Sequence, residues 1–174
     1  MSVERRKIVR KFDEVFTPMW VVVSFIDKMQ ELDLMGYGGY IWCPADTKNS
    51  NVLQGLYNAG FSVTGTHIDF GHDFLTTTPP DVHAIITNPP YTLKNEFLER
   101  AIQLRIPFAF LLPLDAITSI KRTKLYKGED IGFLVYDKRI DFTGKKSPHF
   151  HNIWVLGNFN FKGRIEHIQA ESYL

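Results

Sequence analysis

An almost uninterrupted apolar run, His83-Ala84-Ile85-Ile86-Thr87, stops abruptly in Asn88-Pro89-Pro90-Tyr91. Two successive prolines supply no backbone donors and cannot continue a central strand, so a buried strand must end there in a rigid loop. Similar punctuation recurs along the chain. Tyr40-Ile41-Trp42-Cys43 is a short apolar run that gives way to a polar loop from Pro44 to Ser50, and Phe61 to Ile68 reads as a strand ending at acidic Asp69. Pro107 to Leu114 is apolar at nearly every position, as expected of a strand covered on both faces. Helical patterns lie between these runs. Thr17 as cap and Pro18 at the first turn open one that extends to about Leu34 and stops at Gly36. Val52, Leu53, Leu56 and Tyr57 belong to a second that Gly60 ends. Phe97, Leu98, Ala101 and Ile102 mark a third, between Leu93 and Leu104. Strand alternating with helix predicts right-handed βαβ units in an α/β layered fold. Ile131 to Tyr136 and Asn152 to Phe159 are two late strands expected to pair antiparallel at one edge, with the basic segment from Ile120 to Lys127 between the layers and solvent.

Composition excludes several function classes. The 174 residues, 44% hydrophobic, suffice for one substantial core, so a single domain spanning 1–174 is expected. Lys plus Arg total 20 against 19 for Asp plus Glu, so any nucleic-acid surface must be local rather than a property of the whole chain. The basic positions are Arg5, Arg6, Lys7, Arg10 and Lys11 near the start, and Lys121, Arg122, Lys124, Lys127, Lys145 and Lys146 later. They read either as solvated faces or as phosphate contacts whose strength falls with salt. No run approaches the roughly 18 apolar residues of a membrane helix, and no bounded apolar core follows the basic start. A soluble, cytoplasmic protein with no membrane partner is expected. Cys43 is the single cysteine, which excludes a disulfide framework and reads as a small buried hydrophobe. His67, His72, His83, His149 and His151 lack metal-ligand spacing, so no metal is expected.

Chemistry concentrates in the loop after the third strand. An Asn side chain offers a carbonyl acceptor, and the Pro89 carbonyl, followed by a residue with no N–H, is stiffly oriented. Together they can accept both hydrogens of an exocyclic amine whose lone pair is delocalised into a ring, while Tyr91 supplies a stacking face. The plain alternative is a strand ending in a rigid turn. Asn88-Pro89-Pro90-Tyr91, at the expected carboxyl edge of a sheet, resembles the catalytic motif of amino-methyltransferases.

The wider resemblance, from Phe16 to about Phe159, is to small phage-type, S-adenosylmethionine-dependent adenine N6-methyltransferases. It implies a three-layer Rossmann-like fold and a mostly parallel sheet with an antiparallel edge strand; no separate target-recognition domain is expected within 1–174. Asn88, Pro89, Pro90 and Tyr91 would be catalytic. Phe16-Thr17-Pro18 resembles the segment that contacts the methionine part of the cofactor, and Trp42-Cys43-Pro44-Ala45-Asp46 falls at the junction where that cofactor sits. Asp69 would bind the ribose hydroxyls, and Asp73-Phe74 would take the cofactor adenine. Phe150, in Ser147-Pro148-His149-Phe150, resembles the late aromatic against a flipped base. Lys121 and Arg122 are the substrate-binding candidates read from local charge alone.

One departure concerns the first loop, where the family usually carries glycines and Pro44 to Asn51 has none. Either Asp46, Lys48, Asn49 and Ser50 hold the cofactor's amino and carboxylate groups by side chain, or the fold serves as a binding protein without catalysis. A second is the short stretch from Phe74 to His83, which leaves little protein to read a base sequence. The expected reaction is methylation of adenine N6 in DNA, with weak sequence preference and easier access to single-stranded or flipped adenine. RNA adenine and protein amides, whose nitrogen has the same delocalised lone pair, are the alternative substrates. Oligomeric state is not legible.

Overall fold

The computed structural model describes Ser2, Glu4, Arg6 and residues 16–36, 38–144 and 150–173. Of the sites expected above, Arg5, Lys7, Arg10, Lys11, Lys145, Lys146 and the tripeptide preceding Phe150 lie outside the described residues.

Helix α1 (Met19–Glu31) precedes β1 (Tyr40–Cys43), α2 (Asn51–Asn58) and β2 (Ser62–Gly65). Then come β3 (Ala84–Thr87), α3 (Lys94–Leu104), β4 (Phe108–Pro113), α4 (Ile120–Tyr126), β5 (Ile131–Tyr136), β6 (Asn152–Gly157) and β7 (Ile165–Ile168). The strands form one sheet in the order β2-β1-β3-β4-β6-β5-β7. β1 pairs parallel with β2 and β3, β3 with β4, and β5 with β7, whereas β6 runs antiparallel to both neighbours. The late strands do pair antiparallel as expected. The antiparallel member, however, lies inside the sheet between β4 and β5, and the edge is taken by β7, which is parallel to its neighbour. Burial explains the insertion, since every residue of Asn152–Gly157 is buried while β7 is exposed at Ile165 and His167.

Alternation along the strands builds three layers. Ile41, Cys43, Ala84, Ile86, Ala109, Leu111, Trp154 and Leu156 face α1 and α2, against Val22, Phe25, Met29 and Leu56. Trp42, Ile85, Phe108, Phe110, Leu112, Ile153 and Val155 face Phe97, Leu98 and Ala101 of α3. A buried polar strut ties α1 to the sheet: the Tyr136 hydroxyl donates to the Val21 carbonyl (2.9 Å) and accepts from Trp154 Nε1 (3.0 Å). Burial holds that phenol protonated by raising its pKa.

Boundaries shift where the backbone adopts a local conformation that the apolar pattern does not show. Helix α1 ends at Glu31, and Asp33 follows with φ 53° in the left-handed region. Asn158, at φ 60°, likewise ends β6 before Phe159. Pro18 occupies the cap position of α1 without any side-chain cap bond, so Thr17 does not cap the helix with its hydroxyl as expected. No described helix is long and apolar enough to cross a membrane.

Candidate active site

β1 connects through α2 to β2 on one side of the sheet, and β3 connects through α3 to β4 on the other. A crevice therefore opens beyond the carboxyl ends of β1 and β3, where the winding direction reverses and ligands of open α/β sheets bind. Cys43 and Thr87 end these two strands, so the loop from Pro44 and the segment Asn88-Pro89-Pro90-Tyr91 face one another across the crevice.

Asp46 joins the two loops. Its carboxylate, 7% exposed, accepts from the Ser50 hydroxyl through Oδ1 and from the buried Thr87 hydroxyl through Oδ2 at 2.6 Å. Ser50 also caps α2, its oxygen accepting from the Val52 amide at 3.1 Å. Asp46 thus braces the end of β3 against the start of α2. The glycine that permits this approach lies on the neighbouring strand rather than in the loop. A Cβ on Gly65 would stand 2.8 Å from the Asp46 carbonyl and 2.5 Å from Leu53 Cδ1. Cys43 is fully buried beside this carboxylate, and burial first, then Asp46, raises its thiol pKa well above the ordinary value. It is a core residue and takes no part in the crevice wall.

Pro89 and Pro90 are buried, and Pro90 is extended (φ −61°, ψ 124°) before a 3₁₀ turn over Tyr91–Leu93 leads into α3. The Pro90 carbonyl accepts from the Leu93 amide at 2.9 Å, while no hydrogen bond among the described residues uses the Pro89 carbonyl. Asn88 Nδ2 donates to Thr17 Oγ1 at 3.1 Å, and Thr17, itself buried, accepts through its carbonyl from Asn51 Nδ2 at 2.8 Å. The Tyr91 hydroxyl accepts from Asn152 Nδ2 at 2.8 Å, which orients its ring.

Two depressions flank this loop. The first is lined by Arg6, Pro44, Ala45, Asp73, Phe74 and Pro90 among others. Its apolar walls and single carboxylate suit a flat heteroaromatic ring with an exocyclic amine. Asp73 Oδ1 accepts from the Leu75 amide at 3.0 Å, leaving Oδ2 as the oxygen that the Arg6 guanidinium contacts. Phe74 is 2% exposed, with its ring stacked on Phe97 at a centroid distance of 4.6 Å, so it forms the floor. With Arg6 in place the space left is only about 20 Å³, close to one water molecule. The second depression, about 530 Å³, lies between Tyr91, Thr92, Lys94, Pro113, Leu114, Asp115, Phe150 and His151. Phe150 and Leu114 are exposed there, and Lys94 pairs with Asp115 at 3.2 Å.

The remaining expected residues scatter. Asp69 lies in a 3₁₀ turn beyond the end of β2, more than half exposed, because β2 stops at Gly65 and the chain turns under a cap from buried His67. His67 Nδ1 accepts from the Asp69 amide at 3.2 Å. Phe16 is exposed. Lys121 is paired with Glu99 at 2.8 Å, a contact that raises its pKa. Arg122 is buried, donating to the Ala116 carbonyl (3.1 Å), Asn95 Oδ1 (2.9 Å) and the Asp115 carbonyl, so it anchors the 3₁₀ turn after β4. Among the described residues no cluster of three or more His, Cys, Asp or Glu is arranged to hold a metal. Sequence reasoning passed over Thr87, Asn51 and Asn152. Thr87 carried a signal, a hydroxyl at the end of an otherwise apolar strand; the two asparagines carried none.

No protein-family model and no curated protein matches the chain. Solved structures do. A type I restriction-modification methyltransferase subunit from Streptococcus thermophilus aligns over 96% of this chain at TM-score 0.63 and 13% identity. The chain spans 51% of that subunit, about half its length. A protein from Pyrococcus horikoshii, proposed to be an RNA methyltransferase, aligns over 79% of this chain and 78% of its own at TM-score 0.50 and 11% identity. A candidate hemolysin from Lactococcus lactis aligns over 87% and 93% at TM-score 0.53 and 10% identity. Identities this low speak to architecture alone. The strand order, the parallel βαβ units on either side of the β1/β3 crevice and the inserted antiparallel β6 make this a Rossmann-like fold, an architecture the chain shares with those solved structures.

Proposed function

We propose that this chain is an S-adenosylmethionine-dependent methyltransferase acting on the N6 amine of adenine in DNA. The observation that carries the reading is Asn88-Pro89-Pro90-Tyr91 at the carboxyl end of β3, on the switch-point crevice, with the Asn88 amide nitrogen tied to Thr17. S-adenosylmethionine, when bound, would supply a methyl group activated by its sulfonium. Pro44, Ala45, Asp73 and Phe74 would hold its adenine once Arg6 has moved from Asp73 Oδ2. Asn88 Oδ1 and the Pro89 carbonyl accept the hydrogens of the target amine, which turns its nitrogen lone pair toward the methyl carbon. Tyr91 and Phe150 wall the groove that receives the base, and Lys94 lies at its rim. The transfer is a direct displacement. The amine nitrogen would take the methyl group in place of the cofactor's sulfur, and its surplus proton leaves to solvent. Fixed geometry and oriented dipoles supply the rate. An unpaired adenine enters this open groove at less cost than a stacked one.

Calorimetric titration with S-adenosylmethionine, followed by nucleoside analysis of incubated DNA, tests the reading. Asn88→Ala should keep cofactor binding and lose roughly 10²- to 10³-fold in methylation rate. An undiminished rate in a folded variant would refute the mechanism. Methylation of RNA adenine or of a protein amide in place of DNA would move the substrate and keep the chemistry.

A second reading has its own observation. Arg6 fills the adenine pocket and the first loop has no glycine, which favours a methyltransferase-fold binding protein without catalysis. Absence of S-adenosylmethionine binding with and without DNA, and also in Arg6→Ala, would establish that reading instead.

A further inference from the structure

We infer that Thr17 is a positioning residue that anchors the Asn88 side-chain amide at the crevice. This rests on the proposed amine chemistry for its consequence, but the geometry stands by itself. A side-chain amide turns about its Cβ–Cγ bond unless a hydrogen bond holds it. The Thr17 hydroxyl oxygen receives Asn88 Nδ2 at 3.1 Å across a separation of 71 residues, which anchors the amide on the α1 side.

Thr17 can do this because it is itself held. Its residue is buried, its carbonyl takes Asn51 Nδ2 at 2.8 Å, and Pro18 next to it fixes φ at −59° as the cap of α1. Pro18 also confines Thr17 to extended backbone conformations. The hydroxyl that would otherwise cap the helix is thereby directed at the catalytic loop, and α1 starts with no side-chain cap. Asn51 is the first residue of α2, so one chain of contacts runs from α2 through Thr17 to Asn88. Without that anchor the amide turns about its Cβ–Cγ bond, and the acceptor that the proposed chemistry needs is no longer held in one place.

The test combines Thr17→Val, which keeps shape and removes the hydroxyl, with Thr17→Ser, which keeps the hydroxyl. In protein labelled with ¹⁵N-asparagine, the Asn88 side-chain signals are assigned by their loss in Asn88→Ala. In the wild type their solvent exchange should be slower than that of exposed Asn49. Thr17→Val should speed it roughly five- to tenfold, the factor expected for one hydrogen bond, and Thr17→Ser should leave it within about twofold of wild type. In the methylation assay Thr17→Val should lower kcat by a larger factor than it raises KM for the nucleic acid, with rescue by Thr17→Ser. Equal exchange of Asn88 and Asn49 in the wild type overturns the inference even if Thr17→Val does not fold. Slowed exchange that Thr17→Val leaves intact overturns it too. A protected, Thr17-dependent Asn88 in a protein that methylates no amine supports the inference while refuting the proposed function, so the two failures are distinguishable.

Discussion

Replacing Thr87 by Val asks whether the brace between the two loops carries energy. The hydroxyl donates to Asp46 Oδ2 at 2.6 Å, and Thr87 has no solvent exposure. That length is typical of a hydroxyl bound to a charged oxygen, for which the net contribution is about 1.5–3 kcal/mol. Val has nearly the same volume and leaves no cavity, and its extra buried methyl returns about 0.8 kcal/mol. The balance is a loss of roughly 1–2 kcal/mol. With a urea slope of about 2 kcal/mol/M the unfolding midpoint should fall by roughly 0.5–1 M. Trp42 and Trp154 are fully buried on opposite faces of the sheet, so fluorescence reports both layers in one titration. A stability change alone would not identify the bond, and a double-mutant cycle does. In an Asp46→Asn background, where the charge is gone, Thr87→Val should cost less by about 1 kcal/mol. A coupling below about 0.5 kcal/mol would sink the argument that Asp46 and Thr87 hold the crevice together.

Arg6→Ala removes the guanidinium from Asp73 and vacates the pocket, so S-adenosylmethionine should bind several-fold more tightly by calorimetry; equal or weaker affinity would mean that Arg6 does not obstruct the site. Cys43, with a thiol pKa raised by burial, has a smaller thiolate fraction at pH 8 than a free cysteine. An aromatic disulfide reagent should therefore label it only after urea unfolding, and rapid labelling of the native protein would contradict the burial.

Much of the sheet was legible because its strands are apolar runs bounded by Pro, Gly and polar residues. β1, β3 and β4 fall within one residue of their expected limits, since a doubly covered strand tolerates few polar side chains. β7 was not legible. Ile165-Glu166-His167-Ile168 is an edge strand half turned to solvent, and its short mixed sequence resembles a loop. β2 ends earlier than its apolar run implies, because the chain after Gly65 turns under His67 instead of continuing the ladder with β1.

The site divides the same way. Sequence alone determined that a rigid, acceptor-rich segment would end a buried strand, because two prolines admit few other conformations. It also determined the alternation of strands and helices, whereas the order that sets β3 beside β1 and opens the crevice belongs to the packed sheet. Tertiary structure decided which side chains meet there. Thr17 and Asn88, Asp46 and Thr87, and Arg6 and Asp73 are paired across long stretches of chain. It likewise withdrew Arg122 into the protein while leaving Asp69 in water. Periodicity specifies the face on which a residue lies, but a hydrogen bond or ion pair depends on distances of a few ångströms between distant segments, and only the packed layers set those.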